Sequence, residues 1–308
     1  MKHVPVLLDE CIRGLEIKPG GLYVDGTTGR GGHAGEIAKY LTTGRLIAID
    51  RDEEAINETK KHLHGYADRI IYIRGNFRDI SKIMDSLEIE YADGMLFDLG
   101  VSSPHLDDTE RGFSYMHSTA LDMRMDKQDT LTAYEIVNTW QEDRLRKIFY
   151  EYGEERYAPG IARAIVRKRA AAPVETTFEL NDIILSAIPP AARREPQHPS
   201  KRCYQAIRVA VNDELGALDQ MLETAPDRLR TGGRICVISF HSLEDRAVKN
   251  KFAALSKGCI CPADFPVCVC GVKPSLKIIT RKPLICGKDE LDINSRARSA
   301  KLRIAERI

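Results

Sequence analysis

The 308-residue sequence predicts an α/β chain: a doubly wound sheet of about seven strands, interrupted by a helical insertion. Three observations predict it. Short apolar runs alternate with helical patterns through the first hundred residues, the alternation stops between about 104 and 209, and it resumes with Arg234-Ile-Cys-Val-Ile-Ser239.

The first strand, residues 22–25, follows the turn Pro19-Gly20-Gly21. Residues 35–41 read as a helix, 45–50 as a second strand, and 53–63, by charge pattern, as an exposed helix. A third strand at 70–73, a helix at 80–87 and a fourth strand at 92–99 complete the first half. In the middle, 131–140, 142–152, 159–171 and 177–187 read as helices. Pro189-Pro190 and the stretch 196–199 separate these from a segment beginning at Arg202. The second half reads as a helix at 213–222, a turn at Gly232-Gly233, a strand at 234–239, a helix at 243–255 and a strand at 276–280. Residues 300–305 alternate with period 2, the signature of an edge strand. The expected division is an α/β domain of residues 1–104 and 210–308, with 105–209 as a helical insertion.

With 43% apolar and 30% charged residues, the composition is that of a folded chain and excludes disorder. No apolar stretch approaches the ~18 residues of a membrane span, and the amino-terminal apolar run is too short for a signal peptide, so a cytoplasmic location is expected, with no membrane partner. The net charge of +1 carries no global signal for nucleic acid. Locally, residues 157–208 hold nine Lys/Arg against four acids, and the tail 296–308 holds five against one. Such segments either follow a phosphate backbone or form solvated helix faces.

Directly after the first strand comes Asp25-Gly-Thr-Thr-Gly-Arg-Gly-Gly-His33. Gly29 to Ala34 matches G-x-G-x-x-A, a dinucleotide fingerprint, so an NAD-dependent oxidoreductase is one reading. Against it, an acid and Gly-Thr-Thr stand between the strand and the first fingerprint glycine, and an acid there suits a cationic amine better than a pyrophosphate. Asp50 ends the second strand about 20 residues further on, where a carboxylate accepts ribose hydroxyls or caps the following helix. Phe77 follows the third strand, either against an adenine face or in the core.

At Asp98-Leu-Gly-Val-Ser-Ser-Pro-His-Leu-Asp107 the pattern becomes specific. With His3-Val-Pro-Val-Leu-Leu-Asp-Glu10, Gly29-Arg-Gly-Gly-His-Ala34, Arg111-Gly-Phe-Ser114, Leu121-Asp-Met-Arg-Met-Asp126, Arg208-Val-Ala-Val-Asn-Asp-Glu-Leu215, Ser239-Phe-His-Ser-Leu-Glu-Asp-Arg246 and the tail Asn294-Ser-Arg-Ala-Arg-Ser-Ala-Lys-Leu-Arg303, the chain resembles the ribosomal RNA small subunit methyltransferase H family. The resemblance implies a class I (Rossmann-like) methyltransferase that uses S-adenosyl-L-methionine to methylate the N4 amine of a cytidine in the decoding region of 16S rRNA, within the small ribosomal subunit. The cofactor contacts it implies are Gly31, Gly32, His33, Asp50, Phe77 and Asp98. His105 stands where the family commonly has Gln. Asp98-Leu-Gly-Val replaces the Asp-Pro-Pro-Tyr type of motif found in other amino-methyltransferases, including those acting on DNA, and DNA is not an expected partner.

Cytosine N4 is a weak nucleophile, so such an enzyme needs alignment, acceptors on the amine and a proton sink. Asp98 is the first candidate for that work, with Ser102, Ser103 and His241 as secondary ones. Asp98 touching the cofactor alone is the alternative. Tyr115, Trp140, Tyr204 and Phe240 are candidates for stacking on an extruded base, or core aromatics. The insertion is the candidate RNA-recognition domain. Cys259, Cys261, Cys268 and Cys270 have the donor chemistry of a tetrahedral zinc site, with a reduced loop or a redox-dependent disulfide as alternatives. A catalytically silent RNA-binding ribosome assembly factor is the third functional reading.

Overall fold

The computed structural model describes residues 5–101, 108–194, 198–259, 261, 265, 267 and 269–308. Ser102, Ser103, His105 and Cys268 lie outside the described residues. The chain divides into two units: Met1–Gly100 with Leu215–Ile308, and Val101–Glu214.

The first unit carries a seven-stranded sheet in the order β3-β2-β1-β4-β5-β7-β6. Its strands are β1 (Leu22–Asp25), β2 (Arg45–Asp50), β3 (Ile70–Arg74), β4 (Ala92–Asp98), β5 (Leu229–Ser239), β6 (Leu276–Ile278) and β7 (Lys301–Arg307). Strands β1 to β5 run parallel, and β7 lies antiparallel between β5 and β6. The central strands are continuous apolar runs because helices cover both faces. Leu46 to Ile49 in β2 and Met95 to Phe97 in β4 are fully buried. The chain moves outward from β1 to β3 and then crosses back to β4 on the other side of β1. That reversal opens a crevice at the carboxyl ends of β1 and β4, where ligands bind in sheets of this kind.

Helices α1 (Leu8–Leu15), α2 (Gly32–Tyr40), α3 (Glu53–His62) and α4 (Ile80–Ser86) belong to the first half of this unit. The first of them has no counterpart in the sequence-based expectation, because its eight residues lie among apolar residues that also suit a strand. Two further expectations need correction. The Gly232-Gly233 turn lies inside β5, where Gly232 at φ +79° and a register shift against β4 make a bulge instead of ending the strand. Residues 301–307 form an interior strand, not an edge. Their period-2 pattern arises because Arg303 is buried with its Nε donating to Asp245 Oδ1 at 2.6 Å, so a charged residue sits where alternation implied solvent.

Among its described residues the second unit is helical: α5 (Ala133–Thr139), α6 (Glu142–Glu151), α7 (Ala158–Arg169), α8 (Thr177–Ala187) and α9 (Ser200–Asn212). Thr132 and Thr176 open α5 and α8 with capping boxes that use Glu135 and Glu179. The unit has its own core, with Ile136, Phe149, Ile161, Ile165, Leu180 and Ile207 at its centre. Helices α10 (Glu214–Thr224), α11 (Ser242–Lys257) and α12 (Lys288–Ile293) follow. Among the described residues no helix is long and apolar enough to cross a membrane.

Candidate active site

Four strand ends build the site. Gly26 N–H donates to Leu96 O at 2.9 Å and Thr28 N–H to Ile49 O at 2.9 Å, so the glycine loop is held across the ends of β4 and β2. Gly29 N–H donates to Asp50 Oδ2 at 2.7 Å, and Asp52 N–H to Asp50 Oδ1 at 2.9 Å. Asp50 thus braces the loop as well as ending β2. Gly31 adopts φ +81°, and a Cβ there would meet Thr59 Cγ2 at 2.7 Å, so only glycine fits. Thr59 also donates its hydroxyl to Gly29 O at 2.8 Å, a brace that sequence reading missed, since a threonine within a charged helix has no distinguishing signal.

His33, in the first turn of α2, is buried. Its Nε2 lies 3.0 Å from Val6 O. A carbonyl only accepts, so Nε2 carries the hydrogen. Nδ1 is then turned toward Asp98, 3.9 Å from Oδ2.

Asp25 and Asp98 end β1 and β4. Thr27 N–H donates to Asp25 Oδ1 at 3.1 Å, and Asp98 N–H donates to Thr27 Oγ1 at 2.6 Å. Asp25 Oδ2 and Asp98 Oδ1 are buried without a hydrogen-bond partner. Burial, then the charges of Asp25 and Glu244, push the Asp98 carboxyl up to about 8. Burial, opposed by the Thr27 amide and reinforced by Asp50, pushes Asp25 up to about 7. Two buried acceptors without donors cost stability in the chain alone. They suit a ligand bringing positive charge and N–H groups.

Phe77 is half-buried in a short turn after β3 and meets Phe97 edge-on, with ring centroids 6.0 Å apart. A Cβ at Gly26 would come within 2.3 Å of the Phe97 ring, so the loop backbone packs directly against that ring only because residue 26 is glycine. His241 sits at the start of α11 with Nε2 3.2 Å from Glu244 Oε1, and Glu244 Oε2 accepts Phe240 N–H at 2.9 Å. In this arrangement His241 and Glu244 organise the start of α11.

The other motifs meet inside the helical unit. Asn212 Nδ2 donates to Met123 O at 2.8 Å and to Arg208 O at 2.9 Å, and its Oδ1 accepts Met125 N–H at 2.7 Å. Arg111 Nη2 donates to Arg124 O and Met125 O. Arg208 pairs with Glu214 through two bonds of 2.8 and 2.9 Å. Of the aromatic candidates, Tyr204 is a core residue whose hydroxyl donates to Thr177 O at 2.5 Å. Tyr115 stacks on His198 at 4.4 Å, and Trp140 lies under the Arg144 guanidinium at 3.4 Å.

A family match extends over residues 1–308, to the MraW methylase family. The chain belongs to that family. It is 54% identical over 306 residues to the Ribosomal RNA small subunit methyltransferase H of Carboxydothermus hydrogenoformans, covering 99% of this chain and 98% of that one. It is 52% identical over 307 residues to the protein of the same name from Brevibacillus brevis, covering 99% and 98%. The fold that carries these family motifs is the α/β, doubly wound seven-stranded sheet with its antiparallel seventh strand. Membership removes the NAD-dependent oxidoreductase reading of Gly29 to Ala34.

Proposed function

We propose that this methylase transfers a methyl group from S-adenosyl-L-methionine to the exocyclic N4 amine of a cytidine in the decoding region of 16S rRNA, in the small ribosomal subunit. The observation that carries the proposal is the pair of buried carboxylates, each with a partnerless oxygen, at the adjoining ends of β1 and β4. The relatives' names supply the RNA as substrate class.

When bound, S-adenosylmethionine supplies a methyl on a sulfonium to the amine lone pair and keeps the electron pair of the broken bond. Gly31, Gly32 and His33 would hold it along the loop, Asp50 would accept from its ribose hydroxyls, and Phe77 would lie against its adenine. Asp25 Oδ2, beneath the loop, suits its ammonium group. The nearby positive charge favours the ionised form of Asp98. Asp98 Oδ1 then accepts a hydrogen bond from the amine, which localises the nitrogen lone pair, and takes the proton that the methylated amine sheds. A carboxyl raised to about 8 holds that proton near neutrality, where an ordinary aspartate would not.

The RNA must present its base unstacked. Arg167 and Lys168, exposed at the end of α7, are placed in this proposal against phosphates.

The test is methyl transfer from labelled S-adenosylmethionine to small subunits from cells lacking this protein, followed by nucleoside analysis. Label in N4-methylcytidine is expected. Label in another nucleoside would overturn the assignment, and cofactor binding without any label would favour a catalytically silent assembly factor.

A further inference from the structure

The cysteines of this chain divide into two kinds. Cys11, Cys203, Cys236 and Cys286 are buried, Cys203 in the core of the helical unit and the other three in one core cluster of the α/β unit. Cys259, Cys261 and Cys270 are half-exposed and come together in the segment that joins α11 to β6. That segment is poor in packing. Among its described residues from 259 to 275 none is buried, and Phe265, Val267, Val269 and Val272 are exposed apolar side chains. Described residues that bury so little apolar surface need another source of order.

We propose that Cys259, Cys261 and Cys270 bind one Zn²⁺ as a structural site, separate from the methyl-transfer chemistry. The three sulfurs lie within 4.8 Å of one another. Cys259 Sγ and Cys270 Sγ are 3.8 Å apart. A tetrahedral zinc with Zn–S bonds of about 2.3 Å sets its sulfurs about 3.8 Å from each other. A disulfide would require about 2.05 Å. The separation therefore matches two ligands of a single ion better than a covalent pair.

The surroundings agree with this chemistry. Val269 N–H points at Cys261 Sγ at 3.4 Å, a bond that favours the thiolate over the thiol and orients it. The two limbs of the segment are already brought together at its base, where Ser275 N–H donates to Leu255 O at 2.9 Å. Cys259 follows the Gly258 cap of α11, and its N–H donates to Lys257 O at 2.9 Å. One ligand is thus fixed by the helix end and another by the returning limb, so the metal closes a preformed loop. Three sulfur donors select a soft or borderline ion and disfavour Mg²⁺ or Ca²⁺. An iron–sulfur cluster would hold its thiolates further apart than one ion does. Each thiol that binds gives up its proton to solvent and ligates as the thiolate, and no electron is transferred.

The experiment uses the full chain, expressed with zinc in the medium and purified under reducing conditions without chelator. Elemental analysis is expected to give about one zinc per chain. Replacement by Co²⁺ is expected to give intense red d–d absorption and near-ultraviolet thiolate charge transfer, as a tetrahedral sulfur-rich site does. Cys259→Ser and Cys270→Ser should each lose the metal and keep the wild-type far-ultraviolet circular dichroism, whereas Cys286→Ser should retain it. A wild-type chain that stays free of zinc after dialysis against micromolar zinc would overturn the proposal, as would full zinc retention in both loop variants. The Co²⁺ spectrum of the wild-type chain bears on the question even if a variant misfolds: a weak octahedral spectrum sinks the thiolate site.

Discussion

Two sets of buried polar groups, one in each unit, are treated in opposite ways. In the helical unit, Asn212 uses both amide hydrogens and its carbonyl on backbone partners, and Tyr204 spends its hydroxyl on Thr177. In the α/β unit, Asp25 and Asp98 are buried with an oxygen each that no protein group satisfies, and their carboxyls are raised to about 7 and about 8. Family motifs occur in both units, yet they do different work. A satisfied buried group holds a fold together, and an unsatisfied one stores a cost that a ligand relieves.

The most direct way to break this contrast is at Asp98. Asp98→Asn keeps the shape and removes the proton acceptor, so turnover in single-turnover methyl transfer is expected to fall by about 100-fold or more. Near-wild-type turnover would place Asp98 among the merely structural groups. The next largest effect is expected in the other unit. Asn212→Ala leaves the Met125 N–H and Met123 O buried without partners and should destabilise the helical unit by about 2–3 kcal/mol. The chain's single tryptophan, Trp140, lies in that unit, so its fluorescence in a urea titration reports the change.

A third measurement separates the units by pH. The folded carboxyls of Asp25 and Asp98 hold their protons above the usual aspartate range, so the folded chain binds more protons than the unfolded one between about pH 4 and the raised values. The ligand-free protein accordingly loses stability as pH rises toward about 8. A cationic ligand needs the ionised carboxylates, so affinity for S-adenosylmethionine, read by calorimetry, should rise by about tenfold or more from pH 6 to pH 8. Affinity for the uncharged-sulfur product should rise less. A flat profile, or equal slopes for the two, would separate the carboxylates from the sulfonium. The smallest effect sharpens the role of the helical unit. Reversing charge at Arg167 and Lys168 should weaken RNA binding several-fold at low salt, with the difference closing as salt rises and cofactor binding untouched. Equal RNA affinity across salt would remove α7 from the interface.

Much of this was legible in the chain. Strands at 22–25, 45–50 and 234–239 could be read because buried parallel strands are short, apolar and punctuated. The glycine loop, Asp50 and Asp98 could be placed because strand ends feed the crevice of a doubly wound sheet. The β5 bulge and the interior position of β7 were not legible. Gly232 looks like a turn until a register shift absorbs it, and Arg303 looks solvent-facing until Asp245 neutralises it.

The sequence by itself determined the class of sheet, the helical interruption, the methylase motifs and the clustering of four cysteines within twelve residues. Periodicity and spacing are local properties, and a single chain displays them directly. Only the tertiary structure decided that Asp25 and Asp98 share one buried place, that Asn212 clasps the backbone at Met123 and Met125, and that Cys259 and Cys270 stand 3.8 Å apart. Those outcomes depend on which distant residue removes water or supplies a donor, and separation along the chain does not encode it.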